Sequence, residues 1–569
     1  IAYAIWMLVA TWLLTLGVLR LLDVTWRRAV IVAYGVTLGA GWVSAAFVVE
    51  TLPHWHWLVA WLAICALALV VMRITRMVVR DAQGRWVVPG MAVPVVCALA
   101  WWTLPLFQMV LVSDNIYIRY YTYQPWMGPV VVGTLVAGAV LAWVQRGRAW
   151  RMPQLHIWVM LSGLLLVAVF HQWRLAAPMF RYSSSDFEVW MDAARQWVRT
   201  GTLYSVAQAV ENPFAAINKR PPFYIMLFTP FVAYDTKAVL DGFRWINIGL
   251  CIATMALWVR MMRMHWVWWM LSMVLLSNFQ GLYDTLAYGQ NDVLLLWCFT
   301  LMLWTTRQQR DGWTGGIIAF LTLCKIYPLL LLVFFVIKRR WWALWGFVIG
   351  MVLCNACAIA VFGWDIHVQY VTQIFPSIGG TTSWVENQTL AGFVARLYDD
   401  PFVMLRFTMA HVDRATTIVS ALLIAVACLV ALRDVAHDES VFALQYALFV
   451  VLMVVAIPVA WMHYTTTLII VFFIVVWHYQ THHAAFAQVA LVATSYALIA
   501  FGNFRSFNYP THFGIVSVLI GSYKVYGMLL LFAVLLVMVW QQPTSWAAYW
   551  RNDVQRLWAL IRARRASPQ

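Results

Sequence analysis

The sequence predicts an all-α protein: a polytopic transmembrane helical bundle of about 15 spans, with re-entrant or short helices and an external first loop. Three observations predict it. First, 64% of the 569 residues are hydrophobic and only 11% are charged, whereas a soluble domain is about half apolar and a quarter charged. Second, many apolar runs have the length that crosses about 30 Å of hydrocarbon. Third, short basic loops alternate with loops nearly free of positive charge, the pattern that fixes orientation across a bilayer. The 36 Trp fit the same class, because many lie at run ends, where amphipathic rings prefer the membrane interface.

The basic loops set the order of elements. Arg27-Arg28, then Arg73, Arg76, Arg80 and Arg85, then Arg146, Arg148 and Arg151 read as cytoplasmic, and the loops around 51–54 and 113–125 read as external. Spans then follow at 1–22, 29–50, 55–72, 87–112, 128–145 and 155–174. The run at 1–22 is long for a signal-peptide core and lacks a clear cleavage site, so it reads as a span. Downstream, Arg260/Arg263, Arg307/Arg310, Lys338–Arg340, Arg433 and the tail arginines Arg551, Arg556, Arg562, Arg564 and Arg565 are inside. Spans at 239–259, 266–282, 290–306, 342–362, 416–432, 441–458, 462–478, 484–502 and 514–540 fit that charge pattern. The formal charge of +16 thus serves orientation and contact with membrane lipids, and no nucleic-acid partner is expected. The eight Cys all fall in apolar runs and read as small packing residues. Cys354 and Cys357 lie mid-span without a second pair, so no metal site is expected.

Two apolar pieces do not fit as full spans. The piece 223–234 is short, follows Pro221-Pro222 and contains Pro230, so it reads as a re-entrant or interfacial helix. The piece 313–337 has basic residues on both flanks, so both ends belong on the cytoplasmic side. Its centre is Lys325-Ile-Tyr-Pro328, and a helix-breaking proline there predicts two short helices with Lys325 at the tip.

This topology gathers polar residues at external span ends: Asp186 and Glu188, Lys219 and Arg220, Asp284, the stretch Gly289–Asp292, Lys325, Glu386–Thr389, and His463. Asp186 opens a polar segment of roughly 40 residues, and a loop that long between spans is usually functional. Carboxylates next to a span are default functional candidates. Each residue also has a plain reading. Asp186 fits a cap for a helix starting at Phe187, Gly289–Asp292 a cap for the next span, Lys325 a snorkelling cation, and His463 a satisfied core histidine. Asn387-Gln388-Thr389 also matches a glycosylation sequon, which is common by chance.

Taken in order, these motifs resemble the GT-C superfamily of integral-membrane glycosyltransferases. Within it, they resemble the bacterial polyprenyl-phosphate-mannose-dependent mannosyltransferases of family 87. Asp186–Trp190 with Gly201–Tyr204 looks like that family's first external loop. Pro221-Pro222 with Pro230 looks like its proline-marked helix. Gly289-Gln290-Asn291, Lys325-x-x-Pro328 before Lys338–Arg340, Asn387–Gly392, and Pro458-x-x-Trp461-x-His463 follow in the family's order. The resemblance covers about 155–505. Arg220 stands where the family usually has an aromatic residue, and residues 1–150 add spans ahead of the usual first one.

The resemblance implies residues 1–150 as additional N-terminal helices of no assigned role, open to a protein partner, then a glycosyltransferase module at 151–545 and a basic cytoplasmic tail at 546–569. It implies transfer of a sugar, with mannose expected, from a polyprenyl-phosphate donor to a lipid or glycan acceptor at the external face of the plasma membrane. No cofactor is implied, and the chain carries neither an Asp-x-Asp metal motif nor a dinucleotide fingerprint. The chemistry needs a base for the acceptor hydroxyl and cations for the leaving phosphate. Asp186 and His463 are the catalytic candidates. Lys325, Arg220 and His463 are the candidates for the donor phosphate, and Glu188, Gln290, Asn291, Asn387, Gln388 and Trp461 for the rest of the substrates. A lipid transporter or a non-catalytic scaffold fits part of the pattern. The first predicts an internal repeat, which is not visible, and charges at the midplane.

Overall fold

The computed structural model describes residues 184–205, 218–263, 266–277, 279–378, 380–398, 406–407, 410–433, 438–482, 484–500 and 515–542. The spans expected up to residue 174, the whole 1–150 region and the tail at 546–569 lie outside the described residues. Within them the fold is helical apart from one short antiparallel pair, Thr381–Thr382 with Arg406–Phe407.

Five helices are long and apolar enough to cross a membrane: Thr236–Met262, Trp341–Phe362, Asp413–Ala431, Met462–Thr481 and Tyr523–Trp540. Each falls on an expected span, but the expected total of about 15 is not reached among the described residues. The six spans expected before residue 175 lie outside the described residues, and the other departures are local. The run 266–282 divides into Trp266–Ser277 and Gln280–Tyr288, and the run 514–540 into Ile515–Gly521 and Tyr523–Trp540. The helices Asp292–Arg307 and Glu439–Val455 are continuous but have only 16 and 17 residues. Sixteen residues rise about 24 Å, short of the hydrocarbon thickness.

The two irregular pieces are short or broken helices, as their prolines predict. Pro222–Met226 is a single helical turn with Pro222 in its first turn, where a missing N–H costs nothing, and a 3-10 turn follows at Thr229–Phe231. The second piece forms a helix at Asp311–Cys324, breaks at Lys325, and resumes as a 3-10 turn at Tyr327–Leu329 and a helix at Leu330–Ile337. Its ends return to one place: Arg340 donates to Gln309 at 2.7 Å and pairs with Asp311 at 3.2 Å.

Packing sorts the helices by their apolar faces. Glu439–Val455 is apolar all round and buried from Ala443 to Val455, as a central helix must be. Trp341–Phe362 is equally apolar, yet Trp342 is 74% exposed and Val352 is 62% exposed. Its apolar residues suit lipid rather than protein. One stripe of this helix packs on Asp311–Cys324 through glycine. A Cβ on Gly315 would lie 1.8 Å from the Ala343 carbonyl oxygen, and one on Gly346 would lie 2.0 Å from that of Gly312. Close backbone approach through small residues is the membrane-helix solution where apolar burial gives no net drive.

The result is a bundle with two ends. Asp292, Lys325 and His463 mark one, and Arg307, Lys338–Arg340 and Arg433 mark the other.

Candidate active site

Asp292 is the hub of the first end. It opens the Asp292–Arg307 helix, where the helix dipole favours a carboxylate. Lys325 sits at the C-terminal cap of Asp311–Cys324, where the dipole favours a cation. The Lys325 ammonium donates to Asp292 Oδ1 at 2.6 Å. His463 Nδ1 lies 2.6 Å from Asp292 Oδ2. A carboxylate only accepts, so Nδ1 carries the proton and Nε2 is left for another partner. Tyr327 adds a phenol hydrogen bond to Oδ1 at 3.3 Å, and the Lys325 ammonium lies 3.7 Å from the centre of the Tyr464 ring. Asp292 is 0% exposed, and Lys325 and His463 are each 4% exposed, so the three form one buried ionic unit. Buried charges persist only when paired and hydrogen-bonded in this way.

Asp186 is brought beside this unit by a braced turn. It lies in the first turn of the helix Ser185–Thr200 and is exposed. Ser184 occupies the cap position, so the capping role open to Asp186 in the sequence is not the one it takes. Gln290 Nε2 donates to Asp186 Oδ2 at 2.7 Å. The turn carrying Gln290 ends the Gln280–Tyr288 helix, and its terminal carbonyls are all engaged. Arg244 donates to Leu286 and Ala287, Ser184 to Tyr288, and Asn247 to the Gln290 carbonyl. Gly289 is required there: its φ is +63°, and a Cβ would lie 2.4 Å from Leu240. Asp186 also interacts electrostatically with Lys325, His463 and Tyr464.

Arg220 enters from the other side. Its guanidinium donates to the Cys324 carbonyl at 3.0 Å and lies 5.5 Å from the Trp190 ring and 5.4 Å from the Tyr224 ring. It is half-buried and forms no salt bridge among the described residues. The Tyr204 hydroxyl donates to the Arg220 carbonyl at 2.7 Å and fixes the backbone. Burial pushes the Tyr204 phenol up, with Tyr370 adding to the effect, so it stays a neutral donor.

The other expected residues take different places. Glu188 is half-buried two positions beyond Asp186, which is about 200° around a helix, so it faces away from the Asp186 side. Asn291 is fully buried next to Asp292, and neither side-chain amide atom has a partner. Asn387 is a clamp. It donates to the Thr382 carbonyl at 2.9 Å and to the Pro458 carbonyl at 3.2 Å, and accepts from Ala460 N at 3.1 Å. Gln388 donates to Val385 and Gly521 carbonyls at 2.7 and 2.8 Å. The Asn387 bonds tie the 381–392 loop to the segment that delivers His463, and the Gln388 bonds tie it to Gly521. Trp461 is half-buried just ahead of the turn Met462–Leu468. The hub itself, Asp292, belongs to the polar set seen in the sequence but has no separate role there. Its signal was an acidic residue directly opening an apolar run.

Residues 220–458 match the model of glycosyltransferase family 87. No curated protein and no solved structure matches the chain. The matched segment begins at Arg220, contains Asp292 and Lys325, and ends at Pro458, just before His463. Asp186 and His463 lie outside it but are joined to it through Gln290 and Asp292. The central region of the chain is thus similar to glycosyltransferase family 87, and with the long apolar helices around it this supports a membrane glycosyltransferase.

Proposed function

We propose that the protein transfers a sugar, with mannose expected, from a polyprenyl-phosphate donor to a lipid or glycan acceptor at the external face of the plasma membrane. The observation that carries this reading is the meeting of Asp186, Arg220, Lys325 and His463 around the buried carboxylate of Asp292. They come from four separate segments. A scaffold has no need to gather three cationic or basic groups and an exposed acid at one helix-end junction.

Asp186 is the base. Gln290 holds its Oδ2, which leaves Oδ1 to take the acceptor's proton. The acceptor oxygen attacks the anomeric carbon, and the bond from that carbon to the phosphate oxygen breaks with its electron pair going to the phosphate. A single displacement inverts the anomeric configuration. Arg220 stabilises the charge that grows on the leaving phosphate, because its planar fork suits phosphate and no carboxylate forms a salt bridge with it among the described residues. Lys325 and His463 contribute from the far side of Asp292, His463 through Nε2. Asn387 positions the His463 segment, Gln388 braces the same loop against Gly521, and Glu188, Gln290, Asn291 and Trp461 are left to shape the sugar and acceptor sites. The apolar polyprenyl tail lies against the membrane-facing helices.

Transfer of radiolabelled sugar from a purified polyprenyl-phosphate donor tests the assignment. Asp186→Asn keeps the shape, loses the base, and should lower transfer about 10²–10⁴-fold. Full activity in that variant, with loss in His463→Gln, would move the base to the Asp292–His463 pair.

A further inference from the structure

The end of the bundle opposite Asp292 holds a cavity of about 450 Å³ that the glycosyl-transfer reading does not use. Arg307, Lys338, Arg339, Arg340 and Arg433 line it, against the carboxylates Asp438 and Glu439. Asp311, which pairs with Arg340 from outside the lining, raises the acids to three against five cations. Among the described residues the surplus is positive even so. The acids are engaged locally: Glu439 pairs with Arg307 at 2.7 Å and Asp438 with His482 at 2.9 Å.

Arg433 is the most informative group. It is 7% exposed, and its two terminal nitrogens donate to the carbonyls of Val539 and Gln542 at 3.1 and 3.2 Å. Carbonyls hold a guanidinium in place without cancelling its charge. Its third nitrogen, Nε, is buried and has no acceptor, a costly state for a donor attached to a charge. The rest of the wall is of two kinds. Leu303, Ile337, Leu432 and Phe442 are apolar, and Trp477 lies beside Arg307 with 5.8 Å between the guanidinium and its ring. Exposed Trp341 and Trp342 begin the next helix directly after Arg340. Tryptophan beside arginine at the ends of apolar helices is a membrane-interface composition.

We infer that this cavity binds the phosphate of an anionic phospholipid, with the headgroup among Lys338, Arg339, Arg340 and Arg433 and the acyl chains leaving along the apolar helix faces. A basic recess between spanning helices at the interface is the form such sites take. The combination of surplus cation, an orphaned buried Arg donor and an apolar, Trp-rimmed exit suits a phosphate that carries a hydrocarbon tail better than a free anion.

Native mass spectrometry of the purified full chain, released from nanodiscs of equal phosphatidylglycerol and phosphatidylcholine, tests this. The wild type should retain phosphatidylglycerol selectively. Each Lys or Arg near an anionic surface contributes about fivefold in affinity, so Lys338→Gln with Arg339→Gln should cut retention about thirtyfold. Lys338→Arg with Arg339→Lys should restore it and guards against misfolding as the cause. Arg260→Gln with Arg263→Gln removes equal charge from residues outside the cavity lining and should leave retention within about twofold. An equal loss in that pair would show diffuse attraction and overturn the cavity assignment. Binding of millimolar inorganic phosphate that displaces the lipid equally well, with no preference for phosphatidylglycerol, would overturn the lipid assignment.

Discussion

Replacing Asp292 by Asn removes one negative charge and almost no volume, and it isolates what the hub does. Asp292 is 0% exposed and accepts from Lys325 and His463, both at 2.6 Å. After the change the Lys325 ammonium stays buried with a neutral amide and the Tyr464 ring, 3.7 Å away, as its neighbours. A cation–π contact contributes about 2 kcal/mol at best when desolvated, which does not replace a full counter-charge. Breaking a buried pair by removing one partner costs about 3–5 kcal/mol. Asp292→Asn is therefore expected to lose about that much stability. Adding Lys325→Met removes the orphaned charge and should recover most of it, since paired charges and apolar residues of similar size are often close to equal in stability. The measurement is denaturant unfolding of purified protein in mixed micelles, as a double-mutant cycle. A loss below about 1 kcal/mol in Asp292→Asn, or a double variant as weak as the sum of the two singles, would refute the buried unit. Sugar transfer should fail in the double variant even where stability returns, because the cation and the orienter of His463 are both gone.

The remaining expectations follow from the same geometry. Arg220→Lys keeps the charge but loses the planar fork, so turnover with polyprenyl-phosphate donor should fall about tenfold or more while the acceptor KM stays near wild type; an unchanged turnover would return the phosphate role to Lys325. Gln290→Leu leaves Asp186 in place without its donor at 2.7 Å, and transfer should drop about tenfold with the unfolding midpoint moved little, which steady-state kinetics and the unfolding assay read together. A single cysteine at position 186 should react with a membrane-impermeant reagent in intact cells; reaction only after permeabilisation would invert the expected orientation.

Much of this was legible in the sequence, and the reasons are particular. The break at Lys325 was readable because Pro328 removes a helix donor and both flanks are basic, which forces the two ends to the same side. The structure confirms this through Arg340 meeting Asp311. That Lys325 and His463 need partners was readable because a charge inside an apolar run is expensive, and the structure pairs both with Asp292. Their partner was harder to name. Sequence spacing says nothing about which carboxylate meets which cation across 33 residues to Lys325 and 171 to His463. Apolar length alone also did not reveal where a run is cut, as between Ser277 and Gln280.

The same limit applies to the phosphate candidates. Lys325 and His463 read from the sequence as free to grip a phosphate, because a linear chain displays cations without their counter-ions. In the fold both are held by Asp292, and of the three phosphate candidates the half-buried Arg220 is the one with no carboxylate partner among the described residues. Tyr224 and Trp190 flank it at 5.4 and 5.5 Å. A guanidinium stacked between aromatic faces is weakly hydrated and still able to bind an anion in its plane. On the proposed reading, the buried unit fixes geometry and Arg220 supplies the charge for the leaving phosphate, which the Arg220→Lys kinetics above test.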